Sequence, residues 1–283
     1  MKLIDGKKIA SQVRSEVASQ VEALKSEGIN PGLAVIIVGD NPASRIYVNN
    51  KKKACAEVGM ESFEYALPQE TTQDDLLSLI NRLNCDTAVH GILVQLPLPK
   101  HIDEKAVINA ISVEKDADGF SHNNMGRLLC GDYGLLPCTP AGILYMLHHE
   151  GIEIAGKNCV VIGRSNIVGK PVAMLMLGEN ATVTICHSRT ENLAEITKSA
   201  DILISAVGKA KFVTADMVKD GAVVIDVGMN RDKDGKLCGD VDFDNVKDRT
   251  SFITPVPGGV GPMTIAMLLK NTVTAAANER KTI

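Results

Sequence analysis

The chain has 283 residues, of which 45% are hydrophobic and 23% charged, with a formal net charge of −4. This length favours two domains, and the slightly acidic balance offers no basic field for nucleic acid, so we expect no nucleic-acid partner. No apolar run of about 18 residues and no signal segment occurs, which indicates neither a membrane nor a secreted protein. The seven cysteines are scattered without metal-ligand spacing, so we expect reduced thiols, a cytoplasmic location and no metal.

The first half of the chain alternates helix and strand patterns. The predicted elements are helix 7–25, strand 33–38, helix 42–57 with Asn41 as its cap, strand 61–67, helix 74–83, strand 91–96 and helix 103–111. Such alternation is typical of a parallel α/β layer. From 115 to 137 the periodicity fails while Gly, Asp and Asn accumulate, which predicts a loop.

The second half repeats the alternation. Its predicted elements are helix 139–150, strand 158–162, helix 168–177, strand 182–186, helix 193–198, strands 202–207 and 222–227, and helix 264–279. We therefore predict an α/β protein with two domains. The first covers 1–146 and is completed by a C-terminal helix at 265–283, and the second is a Rossmann-like domain at 147–264.

The segment 255–264, PVPGGVGPMT, combines stiff prolines with bare glycines. Proline fixes φ, whereas glycine allows another group to approach the backbone closely. Two interpretations stay open. The segment is either a tight turn with Pro262 at a first helical position, or a wall that contacts a ligand.

A glycine-framed turn follows the strand 158–162. Gly163, Arg164 and Ser165 begin a G-x-S-x-x-x-G pattern that leads into a helix, whose N-terminal N–H groups suit a phosphate. An ordinary strand-to-helix turn would explain this pattern equally well. The next strand ends in CHSRT, with Ser188 and Arg189 but no carboxylate to accept from a ribose hydroxyl. Arginine and hydroxyl groups suit a 2′-phosphate, so the residues favour NADP over NAD.

Tyr47 and Lys51 lie four residues apart on a predicted helix and so share one face. Lys51 opens a run of three lysines, which in isolation most often marks a solvated helix face. A lysine held near apolar groups and other cations instead has a lowered pKa and can serve as an acid or a base.

Polar residues also follow the strand 91–96 and occupy the predicted loop. Gln95 either ends the strand as a turn cap or faces a ligand at the carboxyl edge of the sheet. Asp116 and Asp118 precede Gly119, where an Asx-type turn is the simple explanation. Asp118 could equally accept hydrogen bonds from the N–H edge of a heterocycle.

In combination, these segments resemble the bifunctional methylenetetrahydrofolate dehydrogenase/methenyltetrahydrofolate cyclohydrolase family, from end to end. The motifs that carry the resemblance are YVNNK at 47–51, VQLPLP at 94–99, KDADG at 115–119, PCTP at 137–140, VIGRSNIVGKP at 161–171, CHSRT at 186–190 and PVPGGVGPMT at 255–264.

The resemblance implies NADP-dependent oxidation of 5,10-methylenetetrahydrofolate and hydrolysis of the methenyl product to 10-formyltetrahydrofolate, a multifunctional role in one-carbon metabolism that supplies purine biosynthesis. It further implies a cleft between the two domains as the active site. The implied catalytic residues are Lys51, Gln95, Tyr47 and Asp118. The implied folate-binding residues are Tyr47, Lys51, Gln95, Leu96, Asp118, Gly261 and Pro262, and the implied NADP-binding residues are Thr139, Gly163, Arg164, Ser165, Ser188 and Met229.

The resemblance also implies a homodimer formed through the nucleotide domains and no additional synthetase domain. Two other interpretations remain at this point. One is a different NADP-dependent oxidoreductase that uses a Tyr/Lys pair, and the other is a nucleotide-binding protein without catalytic activity.

Overall fold

The structure, a computed structural model, describes residues 1–279, apart from the side chain of Ala43. The strands are β1 Lys2–Leu3, β2 Gly32–Val38, β3 Glu61–Leu67, β4 Gly91–Val94, β5 Asn158–Ile162, β6 Thr182–Cys186, β7 Ile202–Ser205, β8 Val223–Asp226, β9 Asn230–Arg231, β10 Leu237–Cys238 and β11 Phe252–Ile253. The helices are α1 Gly6–Ser26, α2 Pro42–Glu57, α3 Gln73–Cys85, α4 Glu104–Ala110, α5 His122–Cys130, α6 Cys138–His149, α7 Gly169–Gly178, α8 Leu193–Lys198, α9 Phe243–Val246 and α10 Val260–Glu279.

The contacts within the chain divide it into two compact units. The three-stranded unit contains Ser11–Cys138 and the chain from Ile265 onward, and the six-stranded unit contains Met1–Ala10 and Thr139–Thr264. None of the helices within residues 1–279 is long and apolar enough to span a bilayer.

The three-stranded unit is built on a parallel sheet of order β3-β2-β4. Every residue of the central strand β2 is buried, because layers of other elements cover both of its faces. On one face, Ala34, Ile36 and Val38 of β2 join a core with apolar residues of α3 and α4. The carboxyl ends of β2 and β4 therefore lie side by side at one edge of a rigid layer.

The six-stranded unit contains a parallel sheet of order β1-β11-β8-β7-β5-β6. After β5 the chain adds β6 on one side and then β7 on the other, so the winding direction reverses between β5 and β7. In open α/β sheets, ligands bind at this reversal, outside the carboxyl ends of the strands.

The α/β architecture with two parallel sheets confirms the predicted fold class. The division into units differs from the predicted boundaries, because Met1–Ala10 and residues 139–146 belong to the six-stranded unit. The reason at the N-terminus is β1, which pairs in parallel with β11 through a hydrogen bond from Lys2 N to Ser251 O of 2.7 Å. A two-residue strand carries no periodicity that a sequence pattern could reveal.

Two predicted elements need correction. The predicted loop 115–137 contains α5, which Ser121 caps by accepting from Asn124 N and which ends at Gly131 in the left-handed region with φ of 75°. Helix α10 begins at Val260 rather than at 264, and residues 280–283 of the predicted C-terminal helix lie outside the described residues. Pro262, predicted at the first helical position, is instead the third residue of α10, where its missing N–H would still have no partner in the first turn.

Candidate active site

Of the three consecutive lysines 51–53, Lys51 is the one whose side chain points toward the interior. Helix α2 begins at Pro42 and is capped by Asn41, whose side-chain oxygen accepts from Ser44 N at 3.2 Å. Because successive helical residues point about 100° apart, neighbouring lysines face different directions. Lys51 is half-buried, whereas Lys52 and Lys53 are exposed. The solvated-face interpretation therefore applies to the last two residues of the run.

Gln95 follows the buried strand β4 directly, and its side chain accepts a hydrogen bond from Lys51. Lys51 Nζ donates to Gln95 Oε1 at 2.9 Å, and Gln95 Nε2 donates to the Leu96 carbonyl oxygen at 2.7 Å. Since the amide nitrogen is already used on Leu96, the amide oxygen is the atom that faces Lys51. The backbone after β4 thus sets the position of the lysine ammonium.

The two aspartates of the KDADG segment have different environments. Asp116 is buried, and its carboxylate accepts from the backbone N–H groups of Gly119, Phe120 and Ser121 at 3.1, 3.3 and 2.8 Å, which is the Asx-type arrangement expected before a glycine. Asp118 is half-buried and interacts electrostatically with Lys51. Asp116 therefore orders the turn that presents Asp118.

Burial changes the proton affinity of both charged groups. It lowers the pKa of the Lys51 ammonium below its ordinary value, and the Asp118 carboxylate opposes this shift. Burial also raises the pKa of the Asp118 carboxyl from 3.8 to about 6, with Lys51 opposing and Asp116 adding to the rise. Both pKa values thus move toward neutrality, as is typical of groups that exchange protons with a substrate.

Cys138 and Asn271 are two further members of this cluster that sequence reasoning did not identify. Cys138 is buried, and its thiol donates to the Ala117 carbonyl oxygen at 3.2 Å. Burial and the nearby Asp118 hold the pKa of this thiol well above its usual range, so it stays protonated at neutral pH. Asn271 of α10 donates to the carbonyl oxygens of Ala117 and Leu136 at 2.9 and 2.8 Å. Only the position of Cys138 inside the PCTP motif could have indicated its place.

Tyr47 lies one turn before Lys51 on α2 and is 38% exposed. An aromatic ring held at this exposure offers a face on which a planar group could stack. Tyr47, Lys51, Gln95, Leu96 and Asp118 all belong to the three-stranded unit. The remaining predicted site residues belong to the six-stranded unit.

In the six-stranded unit, Gly163 follows β5 with φ of 128°, a conformation that favours glycine. A side chain at this position would collide with the Ala206 carbonyl oxygen, and Gly163 N donates to Cys186 O at 2.9 Å. The turn after β5 is therefore in contact with the end of β6 and with the loop after β7. Ser165 Oγ accepts from Val168 N and Gly169 N at 3.2 Å each, which leaves its O–H free to donate.

The turn after β6 presents polar groups to solvent. Thr190 Oγ1 accepts from His187 N at 2.8 Å and closes the turn, while Ser188 and Arg189 are exposed. Arg164, in the adjoining turn after β5, is exposed as well. The strand end thus carries hydroxyl and guanidinium groups and no carboxylate before Glu191, a set that suits a phosphate monoester.

The other predicted residues of this unit lie around the first turn of α10. Thr139 and Thr264 share a hydroxyl hydrogen bond of 2.8 Å. Met229 is 52% exposed, and a Cβ placed on Gly261 would lie 3.5 Å from its Cε atom. Pro262 follows directly, so Gly261 and Pro262 occupy a helix start rather than an irregular loop.

Close backbone packing explains part of the glycine content of segment 255–264. A Cβ on Gly259 would lie 2.6 Å from Pro255 O and 2.8 Å from Thr254 Cβ, and a Cβ on Gly6 would collide with Gly259 O. Lys7 N also donates to Gly258 O at 3.1 Å. For Gly259 the tight-turn interpretation is therefore sufficient without a ligand.

Comparisons with known proteins agree on one family. The model of the tetrahydrofolate dehydrogenase/cyclohydrolase catalytic domain matches residues 4–118, and that of the NAD(P)-binding domain matches residues 137–280. The chain is 59% identical over 280 residues to the bifunctional protein FolD of Acetivibrio thermocellus, covering 99% of this chain and 98% of that protein.

Solved structures give the same result. A bifunctional FolD methylenetetrahydrofolate dehydrogenase/cyclohydrolase from Campylobacter jejuni matches with a TM-score of 0.97 and 51% identity over 99% of each chain. A Trypanosoma brucei enzyme complexed with NADP and an inhibitor matches with a TM-score of 0.93 and 42% identity, covering 99% of this chain and 98% of that one. The chain belongs to the tetrahydrofolate dehydrogenase/cyclohydrolase family.

Proposed function

We propose that this protein is a bifunctional one-carbon enzyme that oxidises 5,10-methylenetetrahydrofolate with NADP and hydrolyses the methenyl product to 10-formyltetrahydrofolate. The observation that carries this proposal is the hydrogen bond of 2.9 Å between Lys51 and Gln95, beside an Asp118 whose pKa is raised to about 6. Relatives that cover nearly the whole chain bear the name of the bifunctional protein. These names do not support the two other interpretations, a carbonyl reductase with a Tyr/Lys pair and a non-catalytic nucleotide-binding protein.

NADP fits the residues of the six-stranded unit. The turn at Gly163 leaves no room for a side chain, and Ser165 keeps a hydroxyl hydrogen to donate beside the first N–H groups of α7. Arg164 and Ser188 would hold the 2′-phosphate, while Thr139 and Met229 would line the site further along. When bound, NADP accepts the hydride that leaves the methylene carbon of the substrate.

Aromatic, carboxylate and backbone groups would recognise the folate substrate. Tyr47 would stack on the aromatic rings of the substrate, and the Asp118 carboxylate would accept hydrogen bonds from the pterin amino and ring N–H groups. Leu96 carries the backbone carbonyl that fixes Gln95. Gly261 and Pro262, in the first turn of α10, would contact the pterin.

Lys51 would move the proton in the hydrolytic step. A lowered pKa keeps a fraction of the lysine as the neutral amine, which can take a proton from a water molecule. The water oxygen adds to the methenyl carbon to give a hydroxyl adduct, and the proton that the water loses passes to Lys51. The bond from that carbon to one folate nitrogen then breaks: this nitrogen keeps the electron pair and takes up a proton, while the hydroxyl group gives up its proton and becomes the formyl oxygen on the other nitrogen. Gln95 would hold Nζ at the position where this transfer occurs.

Replacement of Lys51 by methionine tests the function, with Lys53→Met as the matched control. Lys53 lies two residues later on α2 and is exposed. We expect Lys51→Met to lower kcat for hydrolysis of methenyltetrahydrofolate by at least about 100-fold, the scale of a lost general base, while NADP binding stays unchanged. Lys53→Met should retain both activities.

The proposal fails if the wild-type protein does not reduce NADP with methylenetetrahydrofolate, measured by the absorbance of NADPH. It also fails if Lys51→Met hydrolyses the methenyl substrate at the wild-type rate. Either result would return the protein to one of the two other interpretations.

Assembly and location complete the proposal. The strand β6 pairs with β5 alone among the described strands, and Leu177, at the end of the preceding helix α7, is 55% exposed. We assign this edge of the six-stranded sheet to a homodimer. The seven cysteines are all free, which supports a reducing cytoplasmic compartment, where the formyl product would serve purine biosynthesis.

A further inference from the structure

The loop after β7, residues 206–209, lies at the reversal of the six-stranded sheet. Ala206 N donates to Ile162 O at 2.8 Å, and the Ala206 carbonyl blocks any side chain on Gly163. Loop 206–209 therefore forms the second wall of the crevice whose first wall is the Gly163 turn. Loops at this place contact the bound nucleotide in open α/β folds.

A single buried carboxylate, that of Asp240, holds this loop. Asp240 is fully buried and accepts five hydrogen bonds. Their donors are Val207 N at 2.7 Å, Gly208 N at 3.2 Å, Lys209 N at 2.9 Å, Ser205 Oγ at 3.3 Å and Asn230 Nδ2 at 2.9 Å. Three consecutive N–H groups of the loop thus point at one side chain.

A second buried carboxylate, that of Asp226 at the end of β8, supports the first. Asp226 accepts from Asp240 N at 2.8 Å, Val241 N at 2.9 Å and Gly228 N at 2.9 Å. Each aspartate packs against a glycine beside the other, since a Cβ on Gly228 would collide with Asp240 and a Cβ on Gly239 would collide with Asp226. The network therefore also fixes residues 227–230, the segment that carries Met229.

The burial of Asp226 and Asp240 contributes little to the stability of the fold by itself. Burying two carboxylates in proximity is unfavourable, and apolar packing of the same volume would often be as stable. Each hydrogen bond to Asp240 comes from the carboxyl end of β7 or from Asn230, so the pair organises the loops on one side of the sheet. Apolar side chains could not draw three backbone N–H groups into one orientation.

We propose that Asp240, supported by Asp226, is a positioning residue for NADP that holds loop 206–209 and the Met229 segment in the shape that receives the cofactor. This inference rests on the proposed dehydrogenase and cyclohydrolase function. The hydrolytic step consumes no nicotinamide cofactor, so the two activities separate a defect in cofactor binding from a general loss of structure.

The test is Asp240→Asn, with Asp201→Asn as its matched control. Asparagine would place an NH₂ group against N–H donors that require an acceptor. Asp201 also accepts a backbone N–H, that of Asn158 at 2.9 Å, but it does so at the amino end of β5 in the same sheet. We expect Asp240→Asn to raise the NADP dissociation constant by about tenfold or more in titration calorimetry.

The KM and kcat of cofactor-free hydrolysis should stay within about twofold in both variants, and Asp201→Asn should bind NADP as the wild type does. If Asp240→Asn does not fold, Asn230→Ala removes one donor to the same carboxylate, and we expect a smaller, severalfold loss of NADP affinity. Unchanged NADP affinity in the folded variant, or equal losses of NADP binding and hydrolysis, would overturn the inference. Failure of the wild type to hydrolyse the methenyl substrate would instead refute the proposed function.

Discussion

At the scale of single residues, the site depends on which groups the fold removes from water. Lys51 and Asp118 carry opposite charges, yet burial moves the pKa of each toward neutrality. For each group, the loss of hydration on burial outweighs the attraction of the opposite charge. A lysine and an aspartate of ordinary pKa would both stay charged at neutral pH and would exchange protons poorly with a substrate.

The raised pKa of Asp118 predicts a pH dependence of folate binding. Above about pH 6 the group is a carboxylate that accepts from pterin N–H groups, and below that pH it is protonated. We expect the KM for methenyltetrahydrofolate to rise as pH falls through about 6, approaching tenfold per pH unit. Steady-state hydrolysis kinetics from pH 5 to 8 measure this change.

Asp118→Asn is the control for this prediction, because asparagine does not titrate. Its KM should be raised and independent of pH in the same range, and a variant profile that still bends near pH 6 would assign the titration to another group.

The raised pKa of Asp118 also has a consequence for the stability of the folded protein. The folded pKa exceeds the unfolded value of 3.8, so the folded state binds more protons between about pH 4 and 6, and this group's contribution to stability falls as pH rises through that window.

At the scale of elements, the start of α1 and the segment before α10 form one packed feature. Lys7 N donates to Gly258 O, and the Gly6 backbone lies directly against Gly259. Glycine at position 6 is required by space and not by dihedral angle, since Gly6 is not among the residues with positive φ. The glycine-rich segment thus owes its shape to a residue about 250 positions earlier in the chain.

Gly6→Ala tests this packing, with Gly126→Ala as the control. The added methyl group of Gly6→Ala would collide with backbone that cannot rotate away, so we expect a loss of at least about 2 kcal/mol in the free energy of unfolding. Gly126 lies inside α5 with open space around its Cα, so Gly126→Ala should add about 0.5–1 kcal/mol. Urea unfolding followed by circular dichroism measures both, and equal stabilities of the two variants would contradict the packing.

At the scale of the whole molecule, the six-stranded sheet ends in strands of unequal length. β1 has two residues, whereas β6 has five and leaves one side without a strand among the described residues. A long unpaired edge is a template for pairing with another chain, so natural proteins cover or blunt it. The exposed side chain of Leu177 lies at the end of α7, the helix that packs against β6.

If the edge at β6 forms the dimer interface, a charged residue at position 177 should weaken the dimer. We expect the wild type to sediment as a dimer and Leu177→Asp to raise the dimer dissociation constant by at least about tenfold, because a carboxylate would be buried without a partner. Leu129→Asp is the control, since Leu129 is 69% exposed and belongs to the three-stranded unit. A monomeric wild type, or equal dissociation of both variants, would exclude this edge as the interface.

The sequence by itself determined the alternating elements, the parallel α/β class and the family. Apolar periodicity and turn residues are local properties, so the elements β2, β3, β5, β6 and α8 are found within a residue of their predicted bounds. The motifs at 47–51, 94–99 and 161–171 named the family because several of them occur together in one order. The sequence does not reveal helix α5, because its nine residues include a glycine and two asparagines and follow a turn-rich segment.

Only the tertiary structure decided which groups act together. It turned Lys51 rather than Lys52 toward Gln95, joined Cys138 and Asn271 to the KDADG segment, and set Asp240 beneath the loop after β7. It also determined the proton affinities of Lys51 and Asp118. The physical reason is common to all of these cases. Burial, hydrogen bonding and desolvation arise between residues distant in the chain, and no local pattern of residues encodes them.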